Sequence, residues 1–202
     1  MQISTKHQKL YINNRNIVSD LIICYSKLMT DLIILFVLMK RDLTMYAIKK
    51  RIADRFAPFT NPSFGTLKPA LVRLEKLKFI TSSKIISEGG KLSSFYSITD
   101  EGIKALKNLL LEPFSKNPVQ FISEAKIKLC CASFLSAQDT KQMYENIKAG
   151  AYLHKMNAQN ILEDEYNPPD FYQKIVLDNT ICEYNNFISM VEGFEKENGR
   201  NS

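Results

Sequence analysis

The segment GTLKPALVRLEKLKFI, residues 65–80, constrains the fold more than any other part of the sequence. Its apolar residues recur at helical spacing. The proline at its fifth position indicates a helix that starts close to Gly65, because the first N–H groups of a helix need no partner inside it. The face predicted to be buried consists of Leu67, Ala70, Leu71 and Leu74. The opposite face consists of Gly65, Pro69, Val72, Arg73 and Lys76. The sequence therefore predicts a short amphipathic helix whose outer face is positively charged.

The segments around this helix follow the order of a winged helix-turn-helix. Two helices are predicted before it: an apolar helix over 31–40, with Thr30 and Asp31 as capping residues, and an amphipathic helix over 43–56. After it, strand-forming residues flank a turn near Gly89, which predicts a β-hairpin, and a further helix follows. This order is typical of a DNA-binding unit, and the alternative is an ordinary helical core with a basic surface.

Charge is distributed unevenly along the chain. Residues 31–112 contain 14 Lys/Arg and 8 Asp/Glu, whereas residues 113–202 contain 9 and 12. A basic part followed by an acidic part indicates a polyanion-binding region joined to a region with another task, although chance surface charge is the alternative. We expect a poorly defined N-terminal extension (1–28), a winged helix-turn-helix domain (29–112) and a helical domain (113–202). One hypothesis is that Met29 is the natural start.

The last long helix carries an apolar seam with spacings of four and three residues. Its members are Leu177, Ile181, Tyr184, Ile188 and Val191. This spacing is that of the a and d positions of a coiled coil, so we expect the seam to pack against a second copy of the chain. Packing on its own subunit is the alternative. The predicted fold class is therefore mostly α with a small β-hairpin: a winged helix-turn-helix followed by an all-helical C-terminal domain that forms a homodimer.

Three stretches resemble the PadR family of bacterial transcriptional regulators. They correspond to the family's second helix, its recognition helix, and its wing with the start of the next helix: LTMYAIKKRI, SFGTLKPALVRLEKLKFI and EGGKLSSFYSITDEGIKAL. They follow one another in the family's order. The sequence departs from the family at Met45, where glycine is usual, at Lys68, where tyrosine is usual, and at Lys78–Phe79, where a Gly-Leu pair is usual.

The resemblance implies a homodimeric transcriptional regulator that binds a palindromic operator in double-stranded DNA. We expect this regulator to be a repressor. Carried over by position, the DNA contacts are Tyr46, Ser63, Thr66, Lys68 and Lys91. Structural alternatives are a packed Tyr46 with its hydroxyl at the rim, a helix-capping Ser63 and a solvated Lys91 in the turn. Some family members respond to aromatic or drug-like molecules, so a small-molecule effector is a further expected partner.

Other classes of protein are disfavoured by the sequence. It contains no phosphate-binding loop, no GxSxG and no HExxH, so we expect no enzyme, no cofactor and no metal site. Charges interrupt the apolar run 17–39, which argues against a membrane span. The four cysteines lack metal-ligand spacing, and we expect reduced, mostly buried thiols of a cytoplasmic protein. The rival function is a helical adaptor or antiactivator that uses its winged unit to bind another protein.

Overall fold

A computed structural model of the chain describes residues 27–86 and 92–200, so the predicted extension lies outside it except for residues 27 and 28. The helices are α1 (27–38), α2 (Met45–Phe56), α3 (Phe64–Lys76), α4 (Asp100–Leu111), α5 (Pro118–Cys131), α6 (Ala137–Leu162) and α7 (Phe171–Arg200). The strands are β1 (Leu43–Thr44), β2 (Ile80–Ile86) and β3 (Leu92–Ile98). The chain divides into two compact units between Leu109 and Leu110. The predicted fold class, mostly helical with a small sheet, is confirmed.

The sheet of the first unit has three antiparallel strands in the order β1-β3-β2. The predicted hairpin is formed by β2 and β3, which pair from Ile80 with Ile98 to Ile86 with Leu92. Strand β1 adds to the other edge of β3, where Leu43 lies opposite Tyr96. Sequence reasoning missed β1, because two residues are too few to show the alternation by which a strand is recognised.

Helix α1 begins earlier than the sequence predicted. Residues 27–30 are already helical, so Thr30 and Asp31 lie inside α1 and the prediction that they cap a helix is wrong. Both are buried, and Asp31 is bonded to a side chain of α3 rather than to the first N–H groups of its own helix. The prediction that this helix is buried on most sides is confirmed by the buried residues Leu32, Ile33, Ile34, Leu35, Val37 and Leu38.

The buried face of α3 is the one that the periodicity predicted. Leu67, Ala70, Leu71 and Leu74 are each at most 1% exposed. Helix α2 contributes Ile48, Ile52 and Phe56 to the core, and the ring of Phe56 meets that of Phe36 edge to face at 6.1 Å. The inner face of α3 is thus fixed by packing, which leaves its outer face for another use.

Helix α3 ends in a Schellman motif. The N–H of Phe79 donates to the carbonyl of Leu74 (3.0 Å), and the N–H of Lys78 donates to that of Glu75 (2.9 Å). Lys78 has a φ of 61°, in the left-handed region that a helix end of this kind normally fills with glycine. The carbonyl of Lys78 accepts the hydroxyl of Thr99 at 2.7 Å, which ties the end of α3 to the start of α4.

The start of α4 packs against the same turn. The N–H of Gly102 donates to Thr99 Oγ1 (3.0 Å), so Thr99 also caps this helix. A Cβ atom on Gly102 would overlap the carbonyl oxygen of Phe79 and would lie 2.8 Å from Cγ1 of Ile98. Only glycine permits this approach of two backbones. The end of α3, the sheet and the start of α4 therefore form one tightly packed junction.

The second unit is built around α6 and α7, which run antiparallel. Their aromatic residues pair in order along the two helices: Tyr144 with Phe194, and His154 with Tyr184. Phe121 of α5 closes this core, with its ring 5.0 Å from that of His154 and 6.4 Å from that of Phe187. Burial lowers the pKa of His154, which favours its neutral form.

A buried ion pair holds the segment before α5. The side chain of Lys128 is 0% exposed, and its Nζ lies 2.8 Å from Glu124 Oε1. The same Nζ donates to the carbonyl of Glu112 (2.8 Å) and lies 4.5 Å from the centre of the Phe114 ring. Glu124 Oε2 accepts the N–H of Ser115 at 3.0 Å. Both buried charges are therefore compensated, as a buried pair requires.

The cysteines only partly follow the expectation. Cys131 is buried, whereas Cys130 and Cys182 are exposed, and all three are free thiols. Cys24 lies outside the described residues. Burial raises the pKa of the Cys131 thiol, so this group is uncharged and unreactive. Within 27–86 and 92–200, no helix is long and apolar enough to cross a membrane.

Replacement of Lys78 by glycine should stabilise the protein. A residue with a Cβ atom in the left-handed region costs about 1–2 kcal/mol of stability, and glycine removes this cost. Glycine also makes the unfolded chain more flexible, which offsets about 0.4–1 kcal/mol of the stabilisation. We expect Lys78→Gly to raise the free energy of unfolding by about 0.5–1 kcal/mol in urea titrations. Lys78→Ala is the control, since it removes the same charge but keeps the Cβ. Equal stability of the two variants would contradict the strain at this residue.

Candidate nucleic-acid interface

Helices α2 and α3 are joined by residues 57–63, and α3 occupies the recognition position of a helix-turn-helix. Ser63 caps α3: its Oγ accepts the N–H of Thr66 (3.2 Å), and its carbonyl accepts the N–H of Leu67 (2.9 Å). The hydroxyls of Ser63 and Thr66 are also 3.2 Å apart, and both residues are exposed. The capping role of Ser63, the structural alternative, is therefore present. Contact of Ser63 and Thr66 with DNA stays a prediction.

The outer side of the first turns of α3 has an open backbone. Pro69 lies inside the helix and has no N–H, so the carbonyl of Gly65 lacks its normal helical donor. A Cβ atom on Gly65 would meet only Ser63 Oγ, at 3.4 Å, an ordinary contact. The fold itself does not require glycine at position 65. What glycine provides there is an unobstructed surface beside the exposed side chain of Lys68.

Two exposed aromatic rings lie beside this surface. Tyr46, at the start of α2, is 72% exposed, and Phe64, the first residue of α3, is 40% exposed. Their rings are stacked with centroids 6.4 Å apart and planes 18° apart. The Nζ of Lys49 lies 5.3 Å from the Phe64 ring centre and donates to the carbonyl of Pro62 at 3.2 Å. The exposed position of Tyr46 differs from the packed alternative.

Phe64 was missed by sequence reasoning. It lies between the capping Ser63 and Gly65. The periodicity predicts a helix that starts at Gly65, so Phe64 belongs to neither face of the predicted helix. The one available signal was a large apolar residue in a polar segment, next to a helix cap. Such a residue is not explained by the burial of the apolar face of α3.

Arg73 is not part of the free basic face. Its Nε donates to Asp31 Oδ2 at 2.9 Å and its Nη2 donates to Asp31 Oδ1 at 2.5 Å, so the pair is bidentate and joins α3 to α1. The sequence predicted Arg73 on the outer face of α3 together with Lys76. This prediction is corrected, because the Arg73 side chain is partly buried and paired with Asp31. Burial raises the pKa of Asp31, while the hydrogen bonds and charge of Arg73 oppose that shift.

The wing presents its outer strand to solvent. Every residue of β2 after Ile80 is exposed, including Lys84. Lys91, the predicted wing contact, lies outside the described residues, as does the turn near Gly89. The hydroxyl of Ser82 donates to Glu75 Oε1 at 2.5 Å, which connects the strand to α3.

The surface formed by α2 and α3 has a strong excess of positive charge. These two helices contain seven Lys/Arg and two Asp/Glu. Arg73 is paired with Asp31, and Glu75 accepts a hydrogen bond from Ser82. The exposed basic residues of this surface are Lys50, Arg55, Lys68 and Lys76. An excess of this kind attracts a polyanion.

Comparison with known proteins identifies the family. Residues 34–108 match the family model described as transcriptional regulator PadR-like family. A PadR family transcription regulator from Clostridium difficile R20291 is 31% identical over a region covering 39% of this chain and 80% of that chain, with a TM-score of 0.35. The chain belongs to the PadR-like family of transcriptional regulators.

Bacillus subtilis PadR is a further similar protein. In its crystal structure with operator DNA, the Bacillus subtilis chain is 21% identical to this PadR-like chain, with a TM-score of 0.41. The match covers 83% of this chain and 98% of the Bacillus subtilis chain. Its structure with p-coumaric acid is 20% identical, with coverages of 85% and 99% and a TM-score of 0.39. No curated protein matches the chain.

The predicted dimerisation seam of the PadR-like protein lies largely inside its own second unit. Tyr184, Ile188 and Val191 are buried in a core cluster with residues of α5 and α6, whereas Leu177 and Ile181 are only half-buried. These three residues are covered by their own chain, which is the alternative reading of the seam, and dimerisation through the seam stays a prediction. Spacings of four and three residues serve a helix that packs on its own chain equally well.

Removal of Arg73 should destabilise the PadR-like protein in a pH-dependent way. We expect Arg73→Met to lower the free energy of unfolding at pH 7 by about 1–3 kcal/mol, because it leaves the Asp31 carboxylate buried and unpaired. The folded-state pKa of Asp31 is already raised, so ionisation of this group costs stability as the pH rises through that pKa, and loss of Arg73 enlarges the cost. Below that pKa the neutral carboxyl needs no partner, so the difference should shrink.

Urea titrations at neutral and acidic pH measure this effect. Lys76→Met is the matched control, since it removes an exposed charge from the same helix. A loss of the same size at both pH values would show that packing, and not the ion pair, is the contribution of Arg73.

Proposed function

We propose that this chain is a homodimeric DNA-binding transcriptional repressor that recognises a palindromic operator. Membership of the PadR-like family supports the regulatory role. The single observation that carries DNA binding is the exposed first turn of α3. Its backbone is open at Gly65, and the exposed side chains of Thr66 and Lys68 flank it. Bacillus subtilis PadR was solved with operator DNA, and we propose the same class of ligand here.

In the proposed complex the start of α3 enters the major groove. The N-terminal residues of a recognition helix are those that reach base edges, and the positive end of the helix dipole favours phosphate nearby. Lys68 is suited to a phosphate or to the O6 and N7 of guanine. Tyr46, Ser63 and Thr66 offer hydroxyl groups at the same end of the helix-turn-helix, and Lys91 is proposed to contact the backbone from the wing.

A dimer is proposed because one short helix reads too few bases for a specific site. With the predicted seam largely buried, the outer surface of α7 supports the contact better. Its first two turns carry four residues that are 52–77% exposed: Phe171, Tyr172, Ile175 and Val176. The last turns of α6 add the exposed residues Leu153, Met156 and Ile161.

The size of this apolar surface fits a second copy of the chain. Phe171 and Tyr172 carry aromatic side chains of about 150–250 Å² each, and both are more than two thirds exposed. With the five other apolar residues, the exposed apolar area is on the order of several hundred Å², which compares with the roughly 300–600 Å² of the largest patch on a typical monomer and the roughly 800 Å² that each partner buries in a stable interface. Repression would follow when the dimer competes with RNA polymerase for a promoter.

The rival function is binding of another protein through the winged unit. One observation favours it: the ends of the wing strands expose the apolar residues Ile85, Ile86 and Leu92. Selection of genomic DNA fragments by the purified protein separates the two functions. Enrichment of one sequence with twofold symmetry supports the repressor, and absence of any enrichment at low salt supports the adaptor. A small-molecule effector stays a prediction to which we assign no residues.

Loss of the Lys68 charge should weaken DNA binding. We expect Lys68→Ala to reduce affinity by about tenfold for each subunit at low salt, because a charge-assisted contact is lost. The slope of log affinity against log salt should become less steep by about one per subunit. Fluorescence anisotropy over a salt series measures both. Lys141→Ala, an exposed lysine of α6, is the control. An unchanged affinity and slope would remove Lys68 from the interface.

A charge on the outer face of α7 should dissociate the dimer. We expect Val176→Glu to convert the protein to a monomer, because a carboxylate would be buried against the second copy without a partner. Sedimentation velocity at micromolar concentration measures the change. Asn185→Glu introduces the same group at another exposed position of α7 and is the control. A parent protein that is already monomeric would contradict the homodimer.

A further inference from the structure

Phe64 is an exposed aromatic residue at the tip of the recognition helix, and we propose that it reads the 5-methyl group of a thymine in the major groove. This inference rests on the proposed function, since it names the base feature that the DNA-binding surface selects. Phe64 is not among the predicted DNA contacts, and this inference gives it a role in sequence specificity.

The position of Phe64 is that of a base-contacting residue. It is the first residue of α3, it follows the capping Ser63, and it precedes the open backbone of Gly65. In a helix-turn-helix the N-terminal residues of the recognition helix approach base edges. A side chain at this position therefore meets a base pair when α3 enters the groove.

The chemistry of Phe64 restricts what it can contact there. A phenyl ring has no hydrogen-bond donor or acceptor, so it gains little from a phosphate oxygen or from the polar edges of guanine, cytosine and adenine. The base edges in the major groove carry donors and acceptors, and their one apolar group is the 5-methyl of thymine. Thymine is consequently the base whose edge matches this side chain.

The ring is already held in place before any ligand arrives. Tyr46 stacks on it, and the ammonium of Lys49 lies 5.3 Å from its centre while that lysine is anchored to the carbonyl of Pro62. A fixed side chain loses little conformational entropy on binding. At 40% exposure, Phe64 contrasts with Phe56 of the core, which is 1% exposed. Its remaining apolar surface is thus not used by the fold.

The charges around Phe64 favour DNA over another apolar partner. Lys49 lies at its ring and Lys68 lies one turn further along α3, so the ring is set in a cationic surface. A second copy of this chain would bring the same cationic surface against itself, which is repulsive. A duplex offers phosphates for the lysines and a methyl group for the ring within one groove.

The test removes single methyl groups from the DNA. In an operator obtained by fragment selection, each thymine of one half-site is replaced in turn by deoxyuridine, which lacks only the 5-methyl group, and the same change is made in the other half-site. We expect replacement of the contacted thymine to weaken binding about threefold to fivefold for each half-site. Replacement of the other thymines should have little effect.

Variants of the protein assign the effect to Phe64. In Phe64→Ala the difference between thymine and deoxyuridine at the sensitive position should disappear, and in Phe64→Leu it should be largely kept. Tyr166→Ala, a fully exposed aromatic residue in the loop between α6 and α7, is the control and should behave as the parent protein. Thermal unfolding of each variant checks that the fold is retained.

The outcomes separate this inference from the proposed function. If the parent protein binds DNA but no single thymine is sensitive, or if Phe64→Ala keeps the full difference, the methyl contact is wrong while DNA binding stands. If the selected operator has no thymine in its half-sites, the inference is equally overturned. If the parent protein binds no DNA, the proposed function fails, and the inference fails with it.

Discussion

The ion pair between Arg73 and Asp31 determines how the recognition helix is presented. It fastens the outer side of α3 to α1 with two charge-assisted hydrogen bonds, while Leu67, Leu71 and Leu74 fasten its inner side to the core. A bidentate guanidinium contact fixes orientation as well as distance. The middle of α3 is thus held from two directions, and only its first turns remain open. A helix that is held in this way presents its tip without further ordering.

The C-terminal end of α3 is fixed by close packing and hydrogen bonding instead of by an ion pair, and it includes a strained backbone conformation at Lys78. Gly102 allows the start of α4 to approach the carbonyl of Phe79, and Thr99 bonds the turn at Lys78. The turn keeps its left-handed conformation although Lys78 carries a Cβ, so the surrounding hydrogen bonds outweigh the local strain. The junction is therefore determined by packing and hydrogen bonding.

Sequence periodicity predicted those parts of the structure that depend on neighbours in the chain. The buried face of α3, the hairpin and the mostly helical fold all follow from spacing, turn residues and composition. The Asp31–Arg73 pair could not be predicted, because its partners are 42 residues apart and local patterns assigned Asp31 to a helix cap and Arg73 to an outer helix face. The seam of α7 was ambiguous for another reason: Tyr184, Ile188 and Val191 have the same spacing whether α6 or a second chain covers them. Phe64 was missed because exposure of an apolar residue leaves no periodic signal.

Affinity and sequence selectivity are supplied by different groups on the proposed interface. In the proposed complex, contacts from exposed lysines to phosphates would raise affinity for any duplex and weaken with salt, so they could not by themselves choose a site. Selectivity needs groups that meet base edges, and the tip of α3 offers few of them: a threonine hydroxyl, a lysine and the ring of Phe64. The proposed methyl contact would be small in energy, but it would be independent of salt and would occur once in each half-site. In a twofold-symmetric complex the small preference is therefore applied twice, which is how a short helix tip gains useful discrimination from a single apolar residue.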